Sequence, residues 1–233
     1  MKEKAKYVRQ MFSNIADDYD LFNSLFSFNR DSYWRKFAVS QAAMGSRGIA
    51  VDIATGTGKV ARELVRQNGK QSKVIGIDFC DRMLAKAKDK TRSTTSEGAI
   101  ELVLADAQSL PFPNNVFDCA TISFALRNVT SIEDTFREMA RVVKEGGRVV
   151  SLELTCPPRG LFSKIYRFYL RNMAPLVGGI MSRRKEAYVY LHHSIEELPS
   201  PEEVKLIMEE VGLKEVRIYN LTLGTSVVHV GTK

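Results

Sequence analysis

Apolar residues near the N-terminus recur with the period of an amphipathic helix. Between Val8 and Tyr19 they return every three to four positions, and a second apolar run over 21–26 ends at the turn-rich stretch 27–31. Such spacing places the apolar side chains on one helical face. Residues 1–45 are therefore predicted to form a helical N-terminal arm.

Short apolar runs alternate with helical patterns from residue 49 onward. The predicted strands are 49–53, 74–78, 101–104, 117–123 and 148–154, and the helices between them are 59–67, 81–90 and 132–143. Parallel strands require long crossover connections, so this order predicts an α/β fold with a parallel sheet. A helix over 201–211 and two closely spaced strands, 216–221 and 226–230, predict an antiparallel hairpin at the end.

The stretch between Leu154 and Pro201 interrupts the alternation. Its roughly 45 residues far exceed the usual connection of about 2 to 6 residues, so about 155–200 is predicted to be an insertion that forms a lid. A helical apolar stripe lies within it: Phe162, Ile165, Tyr166, Tyr169, Leu170 and Met173. The chain is predicted to be one domain, 1–233, with the arm and this lid.

Composition narrows the class of protein. The chain has 233 residues, 44% apolar and 26% charged, which is typical of a globular protein. The longest stretch without a charged residue, 218–232, is too short and too polar to span a bilayer as a helix. No apolar signal segment opens the sequence, which predicts a cytoplasmic location. Cys80, Cys119 and Cys156 are far apart, so neither a disulfide framework nor a metal site is predicted.

The net charge of +7 comes from one segment. Residues 159–185 contain seven Lys and Arg and no acid, whereas the other 27 bases balance the 27 acids. A local excess of this kind favours peripheral contact with a membrane surface through 159–185, and no nucleic-acid partner is predicted. The alternative interpretation is a solvated basic face.

A glycine loop follows the first strand in the sequence AVDIATGTGK. Gly56 and Gly58 let the backbone approach a ligand, and the next helix offers its free N–H groups. Asp78 lies 22 residues after Gly56 at the end of the second strand, where an acid can bind the ribose hydroxyls of a dinucleotide or of S-adenosylmethionine (SAM). The loop and Asp78 alone leave both cofactors open.

The next two strands favour SAM. Asp106 and Ala107 follow the third strand and could bind an adenine amino group, and the fourth brings Ser123, Arg127 and Asn128 to the same edge. With the terminal hairpin, this pattern predicts a Rossmann-like class I methyltransferase fold. Its sheet would have seven strands, mostly parallel with an antiparallel last strand, and helices on both faces.

The chain resembles the ubiquinone/menaquinone biosynthesis C-methyltransferase family from about residue 8 to the end. The similar blocks are FSNIADDYDLFNSLFS, YWR, ATGTG, DAQSLPFPNNVFDCATISFALRNV, GGRVVSLEL, YVYLHHSI and YNLTLGTSVVHVGTK. The resemblance implies SAM as cofactor and a prenylated quinol such as demethylmenaquinol as substrate. By position it implies cofactor contacts at Thr57, Asp78, Asp106, Ala107 and Ser123.

Some residues depart from the family pattern. Thr55 and Ala125 stand where the family has glycine, Lys59 where an acid is usual, and Leu154 where Phe is usual. His192 and His193 replace a Pro-Glu-like pair and, being adjacent, are predicted to be surface or lid residues that form a poor metal pair. These departures leave the polar cofactor contacts in place but allow a different quinol.

Methylation of a ring carbon requires a quinol whose hydroxyl has lost its proton. Arg127 is predicted to stabilise the phenolate, because guanidinium keeps its proton, and Asn128 to orient the same oxygen. Tyr19 or Asp17 of the arm could accept or relay the proton. The competing interpretations are a salt bridge for Arg127 and a core aromatic for Tyr19.

Other functions remain open at the level of sequence. A SAM-dependent methyltransferase of another small aromatic or lipid substrate fits the same residues. An NAD-dependent dehydrogenase explains the glycine loop and Asp78 but not Asp106 or the LRNV block. A methyltransferase or binding protein acting on RNA is suggested by the pI of 9.3 and the basic segment, but the sequence has no RNA-binding module or basic tail. A homodimer is compatible with the sequence.

Overall fold

Alternate residues of the central strands belong to two apolar clusters, one on each face of a single sheet. In the computed structural model, Ala50 packs with Trp34 and Leu64, whereas its neighbour Val51 packs with Phe136 and other residues of the opposite face. This period of two is that of strands buried on both faces. The structure describes residues 2–69, 71–92, 99–157, 160–173 and 185–233.

The sheet has seven strands in the order β3-β2-β1-β4-β5-β7-β6. The pairs up to β4–β5 are parallel, and β7 is antiparallel to both β5 and β6. The predicted class I topology, with its antiparallel last strand and hairpin, is confirmed. The strands are β1 (Ile49–Ile53), β2 (Lys73–Asp78), β3 (Ile100–Leu104), β4 (Phe117–Ser123), β5 (Val143–Leu154), β6 (Lys214–Leu221) and β7 (Ser226–Thr232).

Helices cover both faces as predicted. They are α1 (Lys2–Ile15), α2 (Tyr19–Phe26), α3 (Arg30–Gln41), α4 (Lys59–Asn68), α5 (Asp81–Arg92), α6 (Ile132–Val142), α7 (Leu161–Phe168), α8 (Lys185–Glu196) and α9 (Pro201–Glu210). A capping box at Ser200 and Glu203 and a proline in the first turn begin α9.

The predicted start of β5 at 148 is wrong. The strand begins at Val143, directly after α6, and pairs there with Phe117 before pairing resumes at Arg148 with Cys119. The residues between them form an irregular bulge in which Gly146 has φ +77°. Gly146 and Gly147 therefore belong to a distorted part of the strand.

The arm is attached to the sheet through α3. The Trp34 indole donates a hydrogen bond to the Thr222 hydroxyl at 2.8 Å, and the Arg35 guanidinium lies 5.0 Å from the centre of the Phe124 ring. Arg35 also pairs with Asp31 one turn earlier, and both are buried. Trp34 and Arg35 thus anchor the arm against the sheet.

The lid contains α7 and α8 and differs in part from the predicted helix. The chain turns from α-helix to a π-helical segment at Tyr169–Met173, so the predicted stripe is not one regular helix. Arg159, Arg183 and Arg184, which belong to the basic segment, lie outside the described residues, as do the side chains of Met173 and Lys185. None of the helices in the described ranges is long and apolar enough to cross a membrane.

We expect one buried histidine to make stability depend on pH. His229 of β7 donates from Nε2 to the Pro201 carbonyl at 2.9 Å, and burial lowers its pKa. Because the folded state binds this proton less readily than the unfolded state, stability is lost as the pH falls below the unfolded value of about 6.5. Urea unfolding at pH 7.5 and 5.5 should show a smaller loss for His229→Gln than for the parent. A variant of the exposed His193, His193→Gln, should behave like the parent; equal losses for all three would contradict the role of His229.

Candidate active site

The glycine loop joins β1 to α4 in a conformation that favours glycine. Gly56 and Gly58 have φ values of +56° and +76°, and Gly58 is the N-cap residue of α4. Within the described residues, a Cβ added at Gly56 would have only the Tyr19 ring within 4 Å, at 3.9 Å. Ala54 and Phe124 also have positive φ, 52° and 58°, although neither is glycine. Strained backbone of this kind concentrates at functional sites.

Asp78 is the buried acid next to this loop. Its carboxylate accepts the Gly56 N–H at 2.8 Å and the Cys80 N–H at 2.9 Å. Burial raises the pKa of Asp78 to about 6, against the effect of these hydrogen bonds. Each carboxylate oxygen keeps a lone pair that can accept a ribose hydroxyl.

The strand ends border a cavity of about 80 Å³. Of the predicted cofactor residues, Gly56, Asp78, Asp106, Ala107 and Ser123 line it. Asp106 accepts the Gln108 N–H at 2.9 Å, which holds its carboxylate at the end of β3. The cavity therefore offers a buried acid at the glycine loop and a second acid with a backbone N–H beyond it, which fits the ribose and adenine of SAM.

Thr57 and Gly58 do not line this cavity. The Thr57 hydroxyl donates to Asp20 of the arm at 2.8 Å and borders a smaller adjoining space. Asp20 also accepts from Lys90 at 2.6 Å and lies 3.5 Å from Lys59. Lys59, one of the departures from the family pattern, thus helps to hold α2 against the glycine loop.

A second, larger cavity lies between the arm and the lid. Its volume is about 430 Å³, within the usual range for a small-molecule site. Its wall is mainly apolar and aromatic and includes most of the predicted stripe of the lid: Phe12, Phe22, Phe26, Phe28, Trp34, Phe124, Phe162, Ile165, Tyr166, Tyr169, Leu170 and Tyr190. Arg127 and Asn128 bring hydrogen-bonding groups to this wall.

Arg127 and Asn128 each have a defined partner. The Arg127 guanidinium forms a buried ion pair with Glu153 of β5, so the salt bridge considered from the sequence exists, and Arg127 nevertheless borders the cavity. Asn128 accepts the Tyr190 hydroxyl of α8 at 3.1 Å. The lid is thereby hydrogen-bonded to the candidate catalytic loop.

Tyr19 lies where the two cavities meet. Tyr19, Phe12, Phe124 and Asn128 line both of them. Burial raises the pKa of Tyr19 while the Arg127 charge opposes the rise, so the phenol keeps its proton at neutral pH. Asp17, in contrast, pairs with Arg82 and Lys86 on α5 and lines neither cavity.

The two adjacent histidines lie closer together than expected. Ligating atoms of His192, His193 and Glu196 all lie within 4.8 Å of one another, because Glu196 follows the two histidines by four and three residues on α8. Glu196 is also 3.4 Å from Arg167, which already neutralises its charge. The predicted absence of a metal from the catalytic site stays a prediction.

Several residues of the site were not singled out from the sequence. Glu153 and Tyr190 lie within the quoted blocks GGRVVSLEL and YVYLHHSI, but no local pattern relates either to Arg127. Asp20 immediately follows Tyr19, yet its contacts with Thr57, Lys59 and Lys90 join residues up to 70 positions apart. Only the packing of α2 on the glycine loop makes these residues neighbours.

This sheet order and cofactor cavity define a class I SAM-dependent methyltransferase. A SAM-dependent methyltransferase from Aquifex aeolicus shares the fold, with a TM-score of 0.65 and 18% identity over 91% of this chain and 96% of that chain. A possible histamine N-methyltransferase from Thermotoga maritima has a TM-score of 0.67 and 20% identity over 97% and 99% of the two chains.

The chain belongs to the ubiE/COQ5 methyltransferase family, whose model matches residues 1–233. The ubiquinone/menaquinone biosynthesis C-methyltransferase UbiE of Geobacter sp. (strain M21) is 41% identical over 100% of this chain and 99% of the relative. The demethylmenaquinone methyltransferase of Desulfitobacterium hafniense (strain Y51) is 40% identical over 100% of this chain and 92% of the relative. The resemblance inferred from the sequence blocks is confirmed.

Asp78→Asn should weaken the binding of S-adenosylhomocysteine by roughly tenfold to a hundredfold, since a hydrogen bond to a charged group contributes about 1.5–3 kcal/mol. Because the pKa of Asp78 is about 6, the affinity of the parent should also fall as the pH drops below 6 and Asp78 is protonated. Calorimetry between pH 5 and 8 measures both effects. Asp17→Asn is the control, and unchanged affinity in Asp78→Asn would exclude the ribose contact.

Proposed function

We propose that this enzyme transfers the methyl group of SAM to a ring carbon of a prenylated quinol, such as demethylmenaquinol. The observation that carries the proposal is the meeting of a polar cofactor cavity with a large apolar cavity at Tyr19, Phe124 and Asn128. The names of the relatives support the same reaction. A quinol ring at this junction, with its prenyl tail in the apolar cavity, would place the acceptor carbon beside the cofactor.

SAM supplies an electrophilic methyl group on a sulfonium. Gly56, Asp78, Asp106, Ala107 and Ser123 would hold the cofactor, and the acid–ribose contact would fix its orientation. Thr57 is proposed to act indirectly, because its hydroxyl is bound to Asp20. Alignment of the two reactants in adjoining cavities supplies much of the rate enhancement of such a displacement.

The acceptor carbon becomes nucleophilic when the neighbouring quinol hydroxyl is ionised. Arg127 is proposed to stabilise the phenolate, and Asn128 to orient its oxygen. Tyr19 would act as a hydrogen-bond donor or proton relay at the junction. Its raised pKa keeps the phenol protonated, so it is a poor general base in its resting form. This chemistry gives no role to a nicotinamide, which separates the proposal from a dehydrogenase.

The rim of the apolar cavity supports collection of the quinol from a membrane surface. Phe28 and Ile165 line the cavity yet remain 74% and 57% exposed, and Leu161 and Phe168 are exposed on the same helix as Ile165. The exposed bases Lys164, Arg167 and Arg171 accompany them. Apolar side chains with cationic neighbours suit the bilayer interface. We propose peripheral contact there through 159–185; the homodimer stays a prediction.

Arg127→Gln should lower the rate of quinol methylation by roughly two to three orders of magnitude, the usual effect of removing an oxyanion donor. Affinity for S-adenosylhomocysteine should stay within about threefold of the parent, because Arg127 does not line the cofactor cavity. Mass spectrometry of quinols incubated with labelled SAM measures the first quantity and calorimetry the second. Parental turnover in Arg127→Gln would leave Arg127 with a structural role alone.

The combined variant Lys164→Gln, Arg167→Gln and Arg171→Gln should bind anionic vesicles less tightly, since each base contributes about 1 kcal/mol near such a surface. It should also methylate long-chain quinols more slowly while short-chain quinols are little affected. The matched control changes Arg137, Lys205 and Arg217 to Gln, which alters the net charge equally on other elements. Equal sedimentation of both triple variants with vesicles would refute the membrane contact.

A further inference from the structure

A buried carboxylate lies behind the candidate catalytic arginine. Glu153 is only 1% exposed, and its Oε1 accepts both the Arg127 guanidinium and the N–H of Leu154, the latter at 2.9 Å. Its Oε2 is buried and has no hydrogen-bond partner among the described residues. Glu153 is therefore bound on one oxygen only.

The backbone of Glu153 is held firmly. The residue lies near the carboxyl end of β5, in register with Val227 of β7, and the Ser226 hydroxyl donates to its carbonyl at 3.1 Å. The next residue, Leu154, lines the large cavity, but Glu153 does not. Any effect of its carboxylate on a bound substrate must therefore pass through Arg127 or through its electric field.

Stability alone gives a poor reason for this ion pair. Moving two charges out of water costs several kcal/mol per ion, and apolar residues of similar volume often replace such a pair without loss of stability. The unpartnered Oε2 adds a further cost. A pair that borders a cavity and is unfavourable to bury in this way points to a role in the site.

We propose that Glu153 is a positioning residue that fixes the Arg127 guanidinium and reduces its electrostatic effect on the substrate. The inference rests on the proposed function, because it concerns the same phenolate. A guanidinium is a planar fork, so binding one of its nitrogens to a rigid strand fixes the direction of the remaining N–H groups. The pair to Glu153 is the only side-chain hydrogen bond of Arg127 within the described part of the chain.

The charge of Glu153 should change the pKa of a phenol bound in the cavity in a defined direction. A negative charge beside Arg127 opposes the ionisation of a phenol in the cavity, so its removal should lower the pKa of that phenol. At an effective dielectric constant near 20, one charge roughly 10 Å away changes a pKa by about one unit. A loss of stability without a change of charge would leave the pKa of the phenol unchanged.

The test compares Glu153→Gln, which keeps the size of the side chain but removes its charge, with the parent. A p-nitrophenol bound in the cavity reports its own ionisation by its colour, without any methyl transfer. We expect its bound pKa to fall by about one unit in Glu153→Gln. The acid limb of the pH profile of kcat should move in the same direction, with kcat at its plateau about threefold to thirtyfold lower and the affinity for S-adenosylhomocysteine unchanged.

The same substitution in an Arg127→Gln background provides the control. If Glu153 acts through the position of Arg127, the plateau loss on adding Glu153→Gln should shrink to less than twofold in that background. An unchanged nitrophenol pKa in Glu153→Gln, or an equal plateau loss in both backgrounds, would overturn the proposal. Should Glu153→Gln fail to fold by circular dichroism, Glu153→Asp, which keeps the charge but shortens its reach, should keep the parental nitrophenol pKa and lower kcat; a parental kcat would equally overturn it.

Failure of the proposed function would look different. If the parent methylates no quinol, the assignment of substrate is wrong, whatever the nitrophenol titration shows. The titration then still reports whether Glu153 influences the cavity through its charge. The proposed function and the proposed role of Glu153 can therefore be refuted separately.

Discussion

Parallel strands joined by crossover helices must all end at the same edge of the sheet, and the rest of this molecule depends on that constraint. Gly56, Asp78, Asp106, Ser123 and Glu153 lie at or just beyond the ends of five strands, separated in sequence by nearly 100 residues. No single segment of the sequence contains all of these site residues. The crossover topology brings the acids, the hydroxyl and the glycine loop together before any ligand is present.

Such an edge brings several charged groups together where little water reaches them. Each of the buried acids there has a specific hydrogen-bond or ion-pair partner. Asp78 uses backbone N–H groups, Asp52 uses the hydroxyls of Thr55 and Thr121, and Glu153 uses Arg127. Desolvation still raises the pKa of Asp78 and of Asp52 to about 6. Burial therefore makes the ionised acids of this site costly, and a positively charged cofactor would stabilise them.

Strong periodic patterns made most of the fold predictable. The strands of the sheet, the antiparallel hairpin and the glycine loop each follow from local spacing of apolar and turn residues. The start of β5 did not, because the bulge at Gly146 depends on pairing with β4 rather than on its own sequence. In the site, Asp78 and Arg127 were predicted from their places after strands, whereas the link of Thr57 to Asp20 and of Arg127 to Glu153 requires contacts between distant segments. Hydrogen bonds between distant segments produce no periodic pattern in the sequence.

The N-terminal arm lines both cavities through Phe12 and Tyr19. Ion pairs such as Arg9–Asp81 and Lys86–Asp17 hold it against α5, beside the cofactor cavity. The cofactor cavity, of about 80 Å³, and the apolar cavity, of about 430 Å³, thus share part of their walls. Because Phe12 and Tyr19 line both cavities, a substitution at either residue alters the cofactor site and the apolar site together. The sites for the two reactants are thus coupled through one element of the fold, the N-terminal arm. A small molecule bound against Phe12 and Tyr19 would therefore occupy the boundary between the two sites and compete with both reactants.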